Sequence, residues 1–173
     1  LGGGLPLGGP VQAADAPTHC ESNVGSPSDL KELKHGLVQG YLAQDTLPDS
    51  LKLLAPPPAP GSAAQALDDE YANLNIALQE TPRWNQAATD ADLNFPAAAS
   101  IFSCSLGVEI SVERTPRLYT LLRRSLTDAG LASYKAKMHY QRPRPFVSNR
   151  QSICTPEDES ILRSDGSYPS RHT

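Results

Sequence analysis

Apolar residues recur along the chain three and four positions apart, a spacing that places them on one face of an α-helix. The first such pattern follows Ser28-Asp29, a suitable helix cap. Its apolar members are Leu30, Leu33, Leu37, Val38 and Tyr41. No segment shows a convincing alternation of apolar and polar residues, the pattern of a half-buried β-strand. The expected fold is therefore all-α, with roughly five helices.

Three further helices are expected to begin or end at local signals. Residues 46–61 are Pro-rich and are expected to be extended. Ser62 then precedes a second helical pattern, and Thr81-Pro82 starts a third, because Pro is tolerated in the first turn of a helix. The Ala-rich residues 90–106 predict a fourth helix that ends near Gly107.

The strongest helical pattern runs from about Pro116 to about Gln141. Thr115 is a fitting cap for it, and Pro116 is a fitting first residue. Gly130 falls inside the pattern at a cost of about 1 kcal/mol relative to Ala and marks a position where the helix can bend. Pro143 is expected to end the helix at or before the residue that precedes it.

Composition and charge limit the class of protein. The chain has 173 residues, of which 39% are hydrophobic and 20% are charged, enough for one domain with a sizeable core. Its formal net charge is −4 and it has no basic block, which argues against nucleic acid as the main partner. No apolar run approaches the roughly 18 residues that a membrane span requires, so none is expected.

Residues 1–26 are rich in Gly, Pro and Ser and are expected to precede a single domain at residues 27–173. Small apolar residues followed by a cleavage-like stretch at 11–16 suggest the remnant of a secretory signal peptide, and a disordered leader explains the same residues equally well. In an exported chain, the odd number of cysteines implies a free thiol or a partner elsewhere. They are Cys20, Cys104 and Cys154, and their spacing does not suit a metal site.

Lys137 and Arg144 form the first candidate for chemistry. Lys137 falls in the last turns of the long helix, and Arg144 lies just past its end between two prolines. A helix end followed by a Pro-stiffened segment can direct both cations at one oxyanion, with Lys as a point charge and Arg as a planar fork of donors. Cations near a helix C-terminus also stabilise the helix dipole, so the pair alone leaves both explanations open.

The second candidate is the stretch 165–173, which predicts a turn that enters a helix. Ser170 can cap that helix and also hydrogen-bond an anion that faces the first backbone N–H groups. His172 can donate a proton to a leaving group. A surface cap beside an ordinary histidine is the alternative explanation of this spacing.

Taken together, the two motifs resemble those of the bacterial class A non-specific acid phosphatases. The motifs are Lys137-x6-Arg144-Pro145 and Gly166-Ser167-Tyr168-Pro169-Ser170-x-His172-Thr173. The resemblance extends to residues 47–51, 56–58, 61–64 and 90–93, and covers roughly residues 41–173. The same superfamily holds the type 2 phosphatidic acid phosphatases and the vanadium haloperoxidases.

This resemblance implies a compact α-helical bundle, of which the chain is the N-terminal part. It also implies hydrolysis of small phosphate monoesters at acidic pH through a phosphohistidine, without metal or cofactor, in the periplasm or outside the cell. Lys137, Arg144 and Ser170 would bind phosphate or its mimic vanadate, and His172 would be the catalytic acid. Arg171 stands where the family has Gly, and it is also expected to bind phosphate. A homo-oligomer is left open.

The family's third motif, a Ser-Arg pair followed by His and then Asp, lies C-terminal to the second motif. It supplies another phosphate-binding Arg, the nucleophilic His and the Asp that orients it, and the present sequence does not contain it. We therefore expect the 173-residue chain by itself to be inactive. Two alternatives are a truncated, non-catalytic member that binds phosphate and, less favoured, a vanadate-dependent haloperoxidase.

Overall fold

The structure, a computed structural model, describes residues 24–33 and 37–170, and its regular elements are helices. Its helices are α1 (Ser50–Leu53), α2 (Ala63–Ile76), α3 (Pro82–Ala91), α4 (Ala97–Leu106), α5 (Pro116–Ala132), α6 (Tyr134–Tyr140), α7 (Pro145–Asn149) and α8 (Glu159–Leu162). Short 3-10 helices cover Pro27–Asp29 and Pro156–Asp158. Within the described residues the only β-type pairing is an isolated bridge between Glu32 and Val38. The prediction of an all-α fold is confirmed.

Local signals placed the ends of several helices correctly. The Ser62 hydroxyl accepts a hydrogen bond from the Gln65 N–H at 3.2 Å, and α2 begins directly after it. The Thr81 hydroxyl accepts from the Trp84 N–H at 3.3 Å, and α3 begins at the following proline. Gly107 ends α4 in the left-handed conformation with φ 63°. These predictions are confirmed.

The first predicted helix, with apolar residues from Leu30 to Tyr41, is wrong. The described part of this segment is extended and lies against α5, which supplies hydrogen bonds to its backbone. Arg124 donates from Nε to the Gln39 carbonyl at 3.1 Å and from Nη2 to the Gly40 carbonyl at 2.7 Å. The Asp128 carboxylate accepts from the Tyr41 N–H at 2.8 Å. Backbone groups that a helix would pair internally are thus paired with α5 instead.

The Pro-rich segment 46–61 also departs from expectation, because it contains α1. Asp49 caps this short helix by accepting from the Leu51 N–H at 3.2 Å. Ser50 is buried, and its hydroxyl accepts from the Ala136 N–H at 3.0 Å. That N–H lies in the first turn of α6, where helical donors have no partner within the helix. The segment therefore serves as a cap for α6, while residues 55–59 have no regular structure, as predicted.

The long helix predicted from 116 to 141 is divided into α5 and α6 at Ser133. The Ser133 hydroxyl donates to the Gly130 carbonyl at 2.9 Å, a side-chain bond that competes with continued helical pairing. The break thus falls three residues beyond the glycine at which a bend was expected. α5 begins at Pro116 as predicted, although the Thr115 hydroxyl pairs with the Glu109 carbonyl and the Ser111 N–H rather than with α5.

The main apolar cluster lies where α4 and α5 meet. Its buried members are Ala99, Ile110 and Tyr119, with Leu30, Phe95, Leu118 and Leu122 packed around them. The rings of Phe95 and Tyr119 meet edge to face with centroids 5.2 Å apart. Among the described residues, no helix combines the length and the apolar character that a bilayer span needs. Residues 1–23 of the predicted leader lie outside the described residues.

A Gly40→Ala variant should be less stable, because Gly40 is the point of closest approach between the 39–42 segment and α5. A Cβ at this position would lie 1.8 Å from Oδ1 of Asp128. That carboxylate cannot move away without weakening its bonds to the Tyr41 and Leu42 N–H groups. We expect the free energy of unfolding to fall by about 1–3 kcal/mol, the usual cost of overpacking, as measured by urea denaturation.

Gly130→Ala provides the matched control, since a Cβ there meets nothing within 4 Å and the residue lies inside α5. Replacing a helical glycine by alanine should stabilise the protein by about 1 kcal/mol. Equal stability changes in the two variants would contradict the role assigned to the close contact at Gly40.

Candidate functional site

Lys137 lies on α6 and is almost completely buried, with only 1% of its surface exposed. Its Nζ donates a hydrogen bond of 2.6 Å to the carbonyl oxygen of Gly166. A buried ammonium requires such acceptors, since an unpaired charge in the interior is very costly. The bond therefore ties the first motif to the backbone of the second.

Arg144 is held in position by the prolines on either side. A residue before proline favours an extended backbone, and Arg144 has φ −72° and ψ 149° as the residue that precedes α7. Its guanidinium then reaches Asp165 twice. Nε donates to the main-chain carbonyl of Asp165 at 3.0 Å, and Nη2 donates to the Asp165 carboxylate at 2.9 Å. Both side chains are about four-fifths buried.

Gly166 and Ser167 bring the two motifs into direct backbone contact. The Ser167 N–H donates to the Arg142 carbonyl at 2.8 Å, and the Ser167 hydroxyl lies 3.1 Å from the carbonyls of both Arg142 and Pro143. A Cβ on Gly166 would lie only 3.0 Å from the Lys137 carbonyl oxygen. Glycine is therefore favoured here by the close approach of two backbones, since any side chain would crowd that carbonyl.

Arg142 lies between the two cations of the first motif without belonging to it, and its side chain packs against α2. Its Nη2 donates to the Asp68 carboxylate at 2.7 Å and to the Gln65 side-chain carbonyl at 2.9 Å, both on α2. Because its main-chain carbonyl accepts from Ser167, Arg142 connects α2 to the second motif. This contact could not be predicted from the sequence, since the partners are more than 70 residues away.

Lys137 and Arg144 therefore both reach the segment 165–167, which leads to Ser170. Ser170 is exposed and is the last described residue, while Arg171 and His172 lie outside the described residues. Their contacts with phosphate remain predictions. Asp165 was not recognised from the sequence, although an acidic residue directly before the Gly-Ser pair of the motif was a possible signal.

Of two cavities in this part of the fold, one reaches the site through Arg144 and the other lies apart from it. One of about 370 Å³ has Arg144, Trp84 and Phe146 in its lining. Another of about 900 Å³ lies between α3, α4 and α5 and is lined mainly by apolar side chains, among them Phe95, Phe102 and Leu122. Within residues 24–33 and 37–170, no group of three or more His, Cys, Asp or Glu side chains is placed to hold a metal ion.

Known proteins similar to this chain are acid phosphatases. The chain is 41% identical over 137 residues to the non-specific acid phosphatase of Salmonella typhimurium, a match that covers 79% of the chain and 55% of that protein. It is 44% identical over 121 residues to the non-specific acid phosphatase of Salmonella typhi, with 69% and 48% covered. It is 39% identical over 125 residues to the acid phosphatase of Zymomonas mobilis, with 72% and 47% covered. No protein-family model matches the chain.

These matches define the class of protein, which is that of the bacterial acid phosphatases. The chain belongs to the family of bacterial non-specific acid phosphatases, and the resemblance recognised from its motifs is confirmed. The chain spans about half the length of the curated relatives it matches.

The two described cysteines should differ in reactivity. Cys104 is exposed on α4, whereas Cys154 is partly buried between the two motifs, and neither is in a disulfide with a described residue. Burial raises the pKa of the Cys154 thiol, and the nearby Glu157 carboxylate raises it further. Because the thiolate is the reactive form, a raised pKa lowers the reactive fraction at mildly alkaline pH.

We therefore expect iodoacetamide to alkylate Cys104 well before Cys154 in the native protein, as followed by peptide mass spectrometry. In urea the rates should become similar, which serves as the control. Faster native alkylation of Cys154 would contradict the burial described. Cys20, the third cysteine of the chain, lies outside the described residues.

Proposed function

We propose that the protein that carries this sequence hydrolyses phosphate monoesters at acidic pH, without metal, through a phosphohistidine intermediate. Family membership supports phosphatase chemistry, because the relatives are named acid phosphatases. The observation that carries the proposal is the convergence of Lys137 and Arg144 on the segment 165–167 directly before Ser170. Cations from two elements thereby meet at the entrance to the second motif.

Lys137 and Arg144 are the proposed ligands of the phosphate oxygens. Arg144 donates from Nε and Nη2 to Asp165, and no bond to a described residue involves Nη1. A guanidinium has five N–H donors arranged in a plane, so one edge can hold Asp165 while the end of the fork faces an oxyanion. Phosphoryl transfer depends mainly on such positioned charge, which stabilises the transition state without covalent help from these residues.

Ser170, Arg171 and His172 complete the proposed site. Ser170 and the N–H of Arg171 would donate to the phosphate, and His172 would protonate the departing alcohol oxygen as its bond to phosphorus breaks. The nucleophile would be the histidine of the family's third motif, whose nitrogen forms the bond to phosphorus. Attack by water on the phosphohistidine would then release inorganic phosphate and restore the histidine.

Export to the periplasm or the medium is part of the same proposal. It is supported by the resemblance of residues 1–26 to the end of a secretory signal peptide. Cell fractionation followed by N-terminal sequencing of the mature protein tests this. Recovery of the protein only from the cytoplasm would contradict export.

The reaction should be visible with p-nitrophenyl phosphate in the acidic to neutral pH range, in the presence of EDTA. We expect turnover that vanadate inhibits, because vanadate adopts the five-coordinate geometry of a transferring phosphoryl group. Rapid quenching should trap a phosphorylated peptide that is labile to acid, as phosphohistidine is. Phosphate binding without turnover would instead identify a non-catalytic member, and bromide oxidation by the vanadate-loaded protein would identify a peroxidase.

Removing either cation of the first motif should weaken phosphate binding. Lys137→Met and Arg144→Ala each remove a donor to a charged ligand, so the affinity for phosphate or vanadate should fall about tenfold or more by isothermal titration calorimetry. Lys137→Met preserves most of the side-chain volume in this buried position. Circular dichroism establishes that each variant is folded before binding is compared.

Lys135→Met is the matched control for Lys137, since Lys135 lies on the same helix but is 60% exposed and forms an ion pair with Asp49 at 3.4 Å. Its phosphate affinity should remain that of the wild type. Loss of affinity in all three variants would point to a general effect of positive charge rather than to a site at Lys137 and Arg144.

A further inference from the structure

Asp165 contacts the guanidinium of Arg144, and it has no assigned role in either motif. It offers two acceptors to one edge of the guanidinium: its main-chain carbonyl to Nε at 3.0 Å and its carboxylate to Nη2 at 2.9 Å. Two adjacent donors held by one residue fix the plane of the guanidinium. The arrangement restricts an otherwise flexible side chain to one orientation.

The backbone that carries Asp165 is itself held firmly. The next residue, Gly166, accepts from the buried Lys137 Nζ at 2.6 Å, and the residue after it donates to the Arg142 carbonyl at 2.8 Å. Gly166 also lies close to the backbone of α6, because a Cβ added to it would be 3.0 Å from the Lys137 carbonyl oxygen. The backbone at Asp165 is therefore rigid enough to hold the Arg144 side chain in one orientation.

We propose that Asp165 is a positioning residue that orients Arg144 for binding of the substrate phosphate. The inference rests on the proposed function, because it concerns the same phosphate site. Asp165 occupies the Nε edge, so a phosphate at Nη1 and the outer Nη2 proton does not have to displace it. The pair also keeps the guanidinium preorganised, which lowers the entropic cost of binding an anion.

The opposing possibility is that Asp165 acts as an internal anion that competes with phosphate for Arg144. The two roles predict opposite responses to substitution. Asp165→Asn keeps an oxygen acceptor opposite Nη2 but removes the negative charge, whereas Asp165→Ala removes both. A positioning role depends on the acceptor, and a competing role depends on the charge.

The experiment compares the two variants in the protein that carries this sequence. With Asp165→Ala we expect phosphate and vanadate affinity to fall about tenfold, with a matching rise in KM, because one charge-assisted contact that fixes Arg144 is lost. With Asp165→Asn we expect affinity within about threefold of the wild type, because the acceptor remains. A merely structural role would lower the folded fraction and hence kcat, while leaving KM unchanged.

The Nη2–H resonance of Arg144, whose acceptor is the Asp165 carboxylate, reports the orientation of the guanidinium without any assay of activity. It is assigned by its loss in Arg144→Lys, and in the wild type it should exchange slowly with solvent. Exchange should become fast in Asp165→Ala and remain slow in Asp165→Asn. Glu159→Ala is the control, since it removes an exposed ion pair with Arg163 on α8 and should change neither the resonance nor phosphate affinity.

Tighter or unchanged phosphate binding in Asp165→Ala, with the wild type binding normally, overturns the inference and leaves the proposed function intact. A wild-type protein that binds neither phosphate nor vanadate overturns the proposed function and, with it, a role for Asp165 in phosphate binding. Fast exchange of the Arg144 Nη2–H in the wild type overturns the orientation itself.

Discussion

The candidate site depends on the hydrogen bond from the buried Lys137 ammonium to the Gly166 carbonyl. An ammonium removed from water must keep strong acceptors around it, and this carbonyl is one of them. The contact brings the end of α6 so close to the second motif that a side chain at Gly166 would crowd the Lys137 carbonyl. This contact also places Arg144 within hydrogen-bond distance of Asp165, and Ser167 within hydrogen-bond distance of the Arg142 carbonyl.

α6 owes its own position to elements that carry no phosphate chemistry. Its first turn receives the Ser50 hydroxyl from α1, and its start is separated from α5 by the break at Ser133. α5 in turn holds the 39–42 segment through Arg124 and Asp128. A polar framework therefore runs from the N-terminal segment to the site, alongside the apolar cluster of α4 and α5.

Local chemistry explains what the sequence could predict. Ser62, Thr81 and Gly107 act on groups within four residues of themselves, so their effect can be recognised without knowledge of the fold. The prolines around Arg144 similarly restrict its backbone. The two cations were recognised because the motifs that carry them have a fixed spacing, and family membership followed from the same residues.

Long-range hydrogen bonds explain what the sequence could not predict. The segment from Leu30 has helical spacing, yet Asp128, which lies 87 positions beyond Tyr41, determines its conformation. The role of Asp165 could not be predicted, because its partner Arg144 lies 21 residues earlier and only the fold brings the two together. Ser133 interrupts a good helical pattern through one hydroxyl bond, an effect that periodicity does not reveal.

The pairing of Arg144 with Asp165 also closes a loop, because it joins both ends of residues 145–164. The entropy of closing a flexible loop grows only with the logarithm of its length, by about 0.6 kcal/mol for each doubling. Insertions or deletions between α7 and α8 should therefore leave the joined ends almost undisturbed. A change in the length of this loop would alter the surface beside the site and leave the two motifs in the same spatial relation.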